Sequence, residues 1–168
     1  LKKSSNSRRV FGMAIEKYYI TTAIDYTNAR PHIGHALEKI LSDVLARYAR
    51  LKGKKVWFLT GTDEHGVKVV RATEAAGKKP QEFVDSLAGD FKRLKEALNL
   101  SWDDFIRTTD RERHFPGAVL IWKKLVEAGD IYKKKYRGLY CVGHEAFVTE
   151  KDLVGGKCED HGKEPEVV

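Results

Sequence analysis

Apolar residues along this chain fall into short runs and helical stripes that alternate. Tyr18-Tyr19-Ile20-Thr21-Thr22-Ala23-Ile24 is aromatic and β-branched, the composition of a strand. Leu37, Ile40, Leu41, Val44, Leu45 and Tyr48 follow at helical spacing and predict an amphipathic helix. Gly53 marks its stop, and Lys55-Val56-Trp57-Phe58-Leu59-Thr60 reads as a second, buried strand. That strand ends in a polar cluster, Gly61-Thr62-Asp63-Glu64-His65-Gly66. A helix is expected from about Val67 to Ala76, stopped by Gly77. Pro80 opens another, on which Phe83, Leu87, Phe91, Leu94 and Leu98 form one apolar stripe, a core face with no chemistry of its own. Asp104 to Thr108 is a candidate third strand, and a further helix carries Phe115, Val119, Trp122 and Val126 before Gly129. Strands alternating with helices predict a parallel sheet covered by helices.

From Ile131 the character changes, because Tyr132 to Tyr140 is basic and aromatic and leads into a cysteine-containing tail. A sheet domain over residues 13–130 and an insertion over residues 131–168 are therefore expected. Residues 1–12 carry Lys2, Lys3, Arg8, Arg9 and three serines with no acid, and read as an upstream or disordered extension before Met13, the natural start. The 168 residues suffice for one good core with a small appendage. Hydrophobic residues at 42% and charged residues at 33% are the balance of a globular protein, and no apolar run approaches a bilayer span. A net charge of +7 fits an acidic partner such as nucleic acid, and equally a lysine-rich solvated surface. Cys141 and Cys158 are the only cysteines. They read as reduced thiols or metal ligands rather than a disulfide, which points to a cytoplasmic protein with an organellar one as the alternative.

Chemistry concentrates at His32-Ile33-Gly34-His35, between the first strand and the first helix. Pro31 suits the opening of a helix, and helix N-termini offer unpaired N–H groups and a positive dipole end to phosphates. Gly34 lets a ligand approach the backbone, and the imidazoles add hydrogen-bond donors. The combination suits a nucleoside triphosphate. The Gly61–Gly66 cluster ends a neighbouring strand, where ligands of open α/β sheets bind.

The segment from Thr21 through Tyr26-Thr27-Asn28-Ala29-Arg30-Pro31 to His35, with the Gly-Thr-Asp-Glu-His-Gly cluster, resembles the methionyl-tRNA synthetase family of class I aminoacyl-tRNA synthetases. The resemblance runs from about Lys17 to the last residue. It implies a Rossmann-like parallel sheet of the class I synthetase (HUP) type, first half only, with the start of a zinc-knuckle connective insertion. The implied reaction joins methionine to ATP, supplied with Mg2+, as an adenylate, and then transfers the acyl group to tRNA. His32, Ile33, Gly34 and His35 are then the ATP-binding residues, with His32, Gly34 and His35 the catalytic ones. Capping or core packing is the plain alternative for the histidines. Asp63 matches the family's acid for the methionine ammonium group, and Ile24 and Tyr26 match its amino-acid pocket. For Ile24 and Tyr26 strand-end packing is the competing reading, and His65 divides between contact and support. Asp25 stands where many members have proline or a hydroxyl residue.

Cys141-Val142-Gly143-His144 and Cys158-Glu159-Asp160-His161 are two C-x2-H turns, and such a pair completes a tetrahedron around one structural zinc. The family's commoner first turn is C-x2-C, so His144 departs from it, and a knuckle that has kept its loop without metal is the alternative. Lys133-Lys134-Lys135-Tyr136-Arg137 reads as a solvated stem strand or as a surface for the tRNA acceptor end. The family's KMSKS loop and anticodon-binding domain have no counterpart in these residues, whose only methionine is Met13. The resemblance thus implies an amino-terminal part, inactive in the full reaction by itself and with apolar surface left exposed. A different HxGH adenylyltransferase and a non-catalytic zinc module that binds nucleic acid are the competing functions.

Overall fold

A computed structural model describes residues 15–168, so the expectations for residues 1–12 and Met13 lie outside the described residues. The element order is β1 (Lys17–Thr21), β2 (Asp25–Tyr26), α1 (Ile33–Leu51), β3 (Lys55–Asp63), α2 (Val67–Ala75), α3 (Pro80–Ala97), β4 (Asp104–Arg107) and α4 (Phe115–Glu127). A small β region follows, with β5 (Leu139–Cys141), β6 (Ala146–Val148), β7 (Leu153–Val154), β8 (Lys157–Cys158) and β9 (Glu166–Val167). No helix among the described residues is long and apolar enough to cross a membrane.

All pairings in the first sheet are parallel. Leu59 pairs with Thr21 of β1 and with Asp104 of β4, while Thr62 pairs with Asp25 of β2 and with Arg107 of β4. A strand has two edges, so β1 and β2 are two pieces of one edge strand, interrupted at Thr22–Ile24, and β4 lies on the other edge of β3. The expected single strand from Tyr18 to Ile24 is thus broken, and β3 runs three residues beyond the expected Thr60. Thr22 still holds the sheet by donating its N–H to the Leu59 carbonyl at 3.2 Å, and its hydroxyl meets that of Thr60 at 2.6 Å.

The core lies on one face of this sheet. Ala46, Phe58, Leu100 and Trp102 are buried together, and Ile20, Val56, Leu94 and Phe105 pack against them. Phe58 and Ile20 are register partners, so they share a face. On the opposite face Tyr19 and Trp57, also partners, stand exposed. Among the described residues the helical cover expected of the sheet thus lies over the Phe58 face, and Tyr19 and Trp57 on the other face are left uncovered.

Helix α1 corrects the sequence pattern more sharply. Its stripe of Leu37, Ile40, Leu41, Val44, Leu45 and Tyr48 is exposed, and its buried residues are Lys39, Asp43, Ala46 and Ala49. Polar hydrogen bonding turns the helix this way. Asp43 accepts from the Ser101 N–H at 2.6 Å and hydroxyl at 2.5 Å and from Arg47 at 2.5 Å, while Arg50 donates to Ser101 and to Asp103. Asp103 in turn accepts from the Phe58 N–H at 2.7 Å, which ties the helix to the central strand. Helix α3 buries Leu87 and Phe91 of its stripe together with Val84 and Ala88, while Phe83 and Leu94 are half-buried and Leu98, expected in the core, is exposed. In α4 no residue is buried, and Val119, Leu120, Ile121 and Trp122 face outward. Helix α4 ends at Glu127, and residues 128–138 contain no regular element, so the expected stem strand at Lys133–Arg137 is irregular, exposed chain.

Candidate functional site

The interruption between β1 and β2 lifts Ala23 and Ile24 out of the sheet. The freed Ala23 N–H donates to Glu38 of α1 at 2.8 Å, which fastens the break to the first helix. Ile24 is 41% exposed and therefore no part of the core. Asp25, on the short resumed strand, is buried, and its carboxylate is paired with Lys39, whose side chain is wholly inaccessible. Burial lifts the Asp25 carboxyl above its ordinary range, against the opposing pull of the Lys39 hydrogen bond and charge.

Helix α1 begins at Ile33, with His32 as its N-cap. His32 Nδ1 accepts from the Gly34 N–H at 3.0 Å, and His35 Nδ1 accepts from the His32 N–H at 3.1 Å, a reciprocal box built from two imidazoles. Pro31 therefore precedes the helix instead of opening it. A neutral ring that accepts at Nδ1 carries its proton on Nε2. The cap thus satisfies backbone donors and leaves each ring its Nε2–H, that of His35 lying beside Asp25. The rings lie 3.8 Å apart between centroids, and His35 stacks edge-on against Phe91 at 5.2 Å. Burial lowers the His35 pKa below its ordinary value, with the Asp25 carboxylate, 4.0 Å from Nε2, pulling the other way. A Cβ on Gly34 would sit 2.9 Å from His32 Cε1, so the glycine makes room for the capping ring itself.

Asp63 ends β3 in register with Tyr26. Among the described residues its contacts use Oδ1, from the His65 N–H at 3.3 Å and the Thr108 hydroxyl at 3.5 Å, which leaves Oδ2 accessible. His65 Nε2 lies 3.3 Å from the Thr108 carbonyl, a supporting contact. Glu64 is buried beneath them and accepts from Arg107 at 2.6 and 2.9 Å, from the Thr62 hydroxyl at 2.7 Å and from Thr109. Gly61 permits this approach of β3 and β4, since a Cβ there would lie 2.2 Å from the Ile106 carbonyl oxygen.

Tyr26 reaches across to the terminal β region. Its hydroxyl donates to Glu145 at 2.7 Å, and Lys68 of α2 lies 3.6 Å from the same carboxylate while donating to the Gly143 carbonyl at 3.0 Å. The Glu145 bond pushes the Tyr26 pKa up to about 12. Arg71 adds a two-pronged bond to Glu166 at 2.7 and 2.8 Å.

In that β region Cys141 ends β5 and Cys158 ends β8. Residues Gly155 and Gly156, both at positive φ, close the two-residue turn of the β7–β8 hairpin. Ligand atoms of Cys141, His144, Cys158 and His161 all lie within 4.8 Å of one another. His161 Nδ1 is 3.3 Å from the Cys158 sulfur and 3.8 Å from that of Cys141, and His144 Nδ1 is 3.6 Å from Cys158. A tetrahedral zinc with the usual bond lengths has sulfur–nitrogen edges of about 3.5 Å. The donors therefore fit that ion. Gly143 is required by the same packing, because a Cβ would lie 2.4 Å from the His161 ring. Backbone hydrogen bonding from His144 draws the Cys141 thiol below its ordinary range.

A family model described as tRNA synthetases class I (M) matches residues 18–166. The chain belongs to this family. Among curated relatives, a methionine–tRNA ligase of Brucella melitensis is 50% identical over 140 residues, covering 83% of this chain and 27% of that protein. One from Thermotoga maritima is 51% identical over 138 residues, covering 82% of this chain and 22% of that protein. The chain thus spans roughly a quarter of the length of these relatives. Among solved structures, Mycobacterium tuberculosis methionyl-tRNA synthetase in complex with methionyl-adenylate superimposes with a TM-score of 0.85 at 44% identity, covering 92% of this chain and 31% of that one. A leucyl enzyme of Agrobacterium radiobacter, at 19% identity and a TM-score of 0.71, shares the fold.

The class I synthetase fold brings Ile24, Tyr26, His32, Ile33, Gly34, His35 and Asp63 to the carboxyl ends of adjacent strands, while the Cys141, His144, Cys158 and His161 cluster stands apart behind Glu145. Sequence reading missed Glu38, Lys39, Glu145 and Lys68. Glu38 and Lys39 adjoin the histidine motif, but nothing local marks their partners. Tyr26 and Glu145 are 119 positions apart, and no spacing rule connects them.

Proposed function

We propose that the protein carrying this chain ligates methionine to its tRNA through a methionyl-adenylate, and that this chain supplies one wall of the ATP and methionine site. The observation that carries the reading is the register of Tyr26 with Asp63 beside the histidine-capped start of α1. In this reading Asp63 accepts the ammonium of one substrate and the helix start takes the phosphates of the other, as two substrates that must meet require.

In this reading His32, Ile33, Gly34 and His35 line the ATP phosphate site, with the His32 Nε2–H and the Ile33 N–H as donors that the cap does not use and His35 Nε2 beside Asp25. A neutral His35 serves as a donor without needing a proton from solution. Asp63 holds the methionine ammonium through a charge-assisted bond to its accessible oxygen. Ile24, exposed at the strand break, and the Tyr26 ring form the apolar wall that suits a thioether. The methionine carboxylate attacks the α-phosphate and pyrophosphate leaves, so no protein nucleophile is needed and placement with charge stabilisation does the work. Zinc, held by Cys141, His144, Cys158 and His161, supplies no chemistry, since four protein ligands leave no open position. We assign residues 13–130 to the catalytic domain and 131–168 to the knuckle insertion. Cysteines that serve a metal rather than a disulfide favour a reducing, cytoplasmic setting, with an organellar one as the alternative.

ATP–pyrophosphate exchange by the intact gene product, run against a panel of amino acids, tests the reading. Exchange that depends on methionine is expected, and a loss of this methionine-driven exchange in Asp63→Ala follows from the ammonium role. Exchange indifferent to methionine sinks it.

A further inference from the structure

The first half-site of the knuckle uses His144, and a histidine offers two ring nitrogens to a metal. Which one binds is set by what the other one does. Here His144 Nε2 is 2.8 Å from a carboxylate oxygen of Asp160, while Nδ1 faces the Cys158 sulfur at 3.6 Å. Asp160 sits between the two ligands of the second half-site, Cys158 and His161. The contact therefore bridges from one turn of the knuckle to the other. It also fixes the imidazole nearly perpendicular to the His161 ring, at 81° with centroids 4.5 Å apart.

We propose that Asp160 is a positioning residue for the metal: it holds the Nε2–H of His144, so that His144 binds zinc through Nδ1. This rests on the zinc-knuckle reading above. A surface carboxylate–imidazole contact by itself contributes little to stability. Its value here is in geometry, since the bond turns the ring so that the Nδ1 lone pair joins the sulfur and nitrogen atoms of the other three ligands. The charge count points the same way. Two thiolates and two neutral imidazoles leave a zinc site uncharged, and the Asp160 carboxylate adds the negative charge that stabilises an imidazole bonded to a cation.

The Asp160 side chain is 73% exposed, so its substitution leaves no packing defect. Zinc affinity of the purified chain is measured by competition with a chromophoric chelator, with the fold followed by circular dichroism. Asp160→Asn should weaken zinc binding about 10- to 100-fold, and Asp160→Glu should restore part of the loss. In a His144→Cys background, which has no imidazole to orient, Asp160→Asn should change affinity by less than about 3-fold. Long-range nitrogen–proton NMR of the zinc-loaded chain should show the metal on His144 Nδ1 and the proton on Nε2. Equal zinc affinity in the wild type and Asp160→Asn, an Asp160→Asn loss that persists in the His144→Cys background, or metal on His144 Nε2 overturns the proposal while the knuckle stands. A wild-type chain that takes up no zinc overturns the knuckle and the proposal together.

Discussion

Replacing Lys39 by methionine tests the packing beneath the histidine motif. The Lys39 side chain is 0% exposed and that of Asp25 only 4%, so neither charge has water to fall back on. Methionine fills much the same volume, so the loss is electrostatic: the substitution strands a carboxylate between α1 and the sheet. Breaking a buried pair from one side costs about 3–5 kcal/mol. With an m-value of about 2 kcal/mol/M in urea, the unfolding midpoint should fall by roughly 1.5–2.5 M. The double variant Asp25→Asn with Lys39→Met removes both charges and should recover most of that loss, to within about 1.5 kcal/mol of the parent. The pH dependence has a definite sign. The folded Asp25 carboxyl titrates above its ordinary 3.8, so its contribution to stability is present below that value and is lost as pH rises through the folded pKa. The gap between Lys39→Met and the parent should therefore be small near pH 4 and widen toward neutrality. A single variant that loses less than about 1 kcal/mol at pH 7, or a double variant whose loss is the sum of the singles, refutes the account of a compensated pair.

Three further outcomes follow from geometry. Tyr26 should ionise near 12 in an ultraviolet pH titration read as the difference between the parent and Tyr26→Phe, and Glu145→Gln should return it toward 10.0; an unmoved titration refutes the Glu145 bond. Gly61→Ala must part β3 from β4 and should cost about 1–3 kcal/mol, seen as a lower Tm, because the added carbon has a backbone oxygen at 2.2 Å. For Asp43, burial alone would raise the pKa, but bonds from Ser101 and Arg47 outweigh it and the net shift is downward. Its stabilisation is present above the ordinary 3.8 and lost as pH falls through the folded value, so Asp43→Asn should flatten the acid limb of the stability curve below about pH 4.

The order of strands and helices was legible because period and punctuation are local properties. Pro80 and the Phe83–Leu98 stripe predict α3, and the structure buries Leu87 and Phe91 on it. Orientation was less legible, and α1 shows why. Its apolar stripe is long and regular, yet it faces outward, because Asp43 and Arg50 each find partners around Ser101 and Asp103 that no window around α1 contains. A buried charge is costly only when unpaired, and pairing depends on residues about fifty positions away. The break between β1 and β2 escaped for a related reason. Thr22, Ala23 and Ile24 continue the strand pattern in composition, and what interrupts it is the Glu38 carboxylate that takes the Ala23 N–H. The motif residues could be singled out because their types carry chemistry. Their supports were not, because Glu145 and Asp160 are ordinary surface acids until the fold gives them Tyr26 and His144.

The histidines show how a hydrogen bond at one ring nitrogen decides what the other nitrogen can offer. At the start of α1, Nδ1 of both rings is committed to backbone N–H groups, and what remains for a phosphate is a pair of Nε2–H donors. Capping, one of the two alternatives the sequence presented, is what the structure shows, and it does not exclude ligand binding because it uses only one nitrogen of each ring. In the knuckle the commitment is reversed: Nε2 of His144 goes to Asp160, and what remains is an Nδ1 lone pair. A phosphate needs donors and a zinc ion needs lone pairs. On the proposed function the same side chain would serve opposite chemistries within one chain, with the choice made in each case by the hydrogen bond on its far side. If the proposed function holds, replacing His32 or His35 by a side chain that keeps a donor but lacks the Nδ1 acceptor should raise the KM for ATP in pyrophosphate exchange, since the cap no longer holds the donor in place; an unchanged KM refutes the role of the cap.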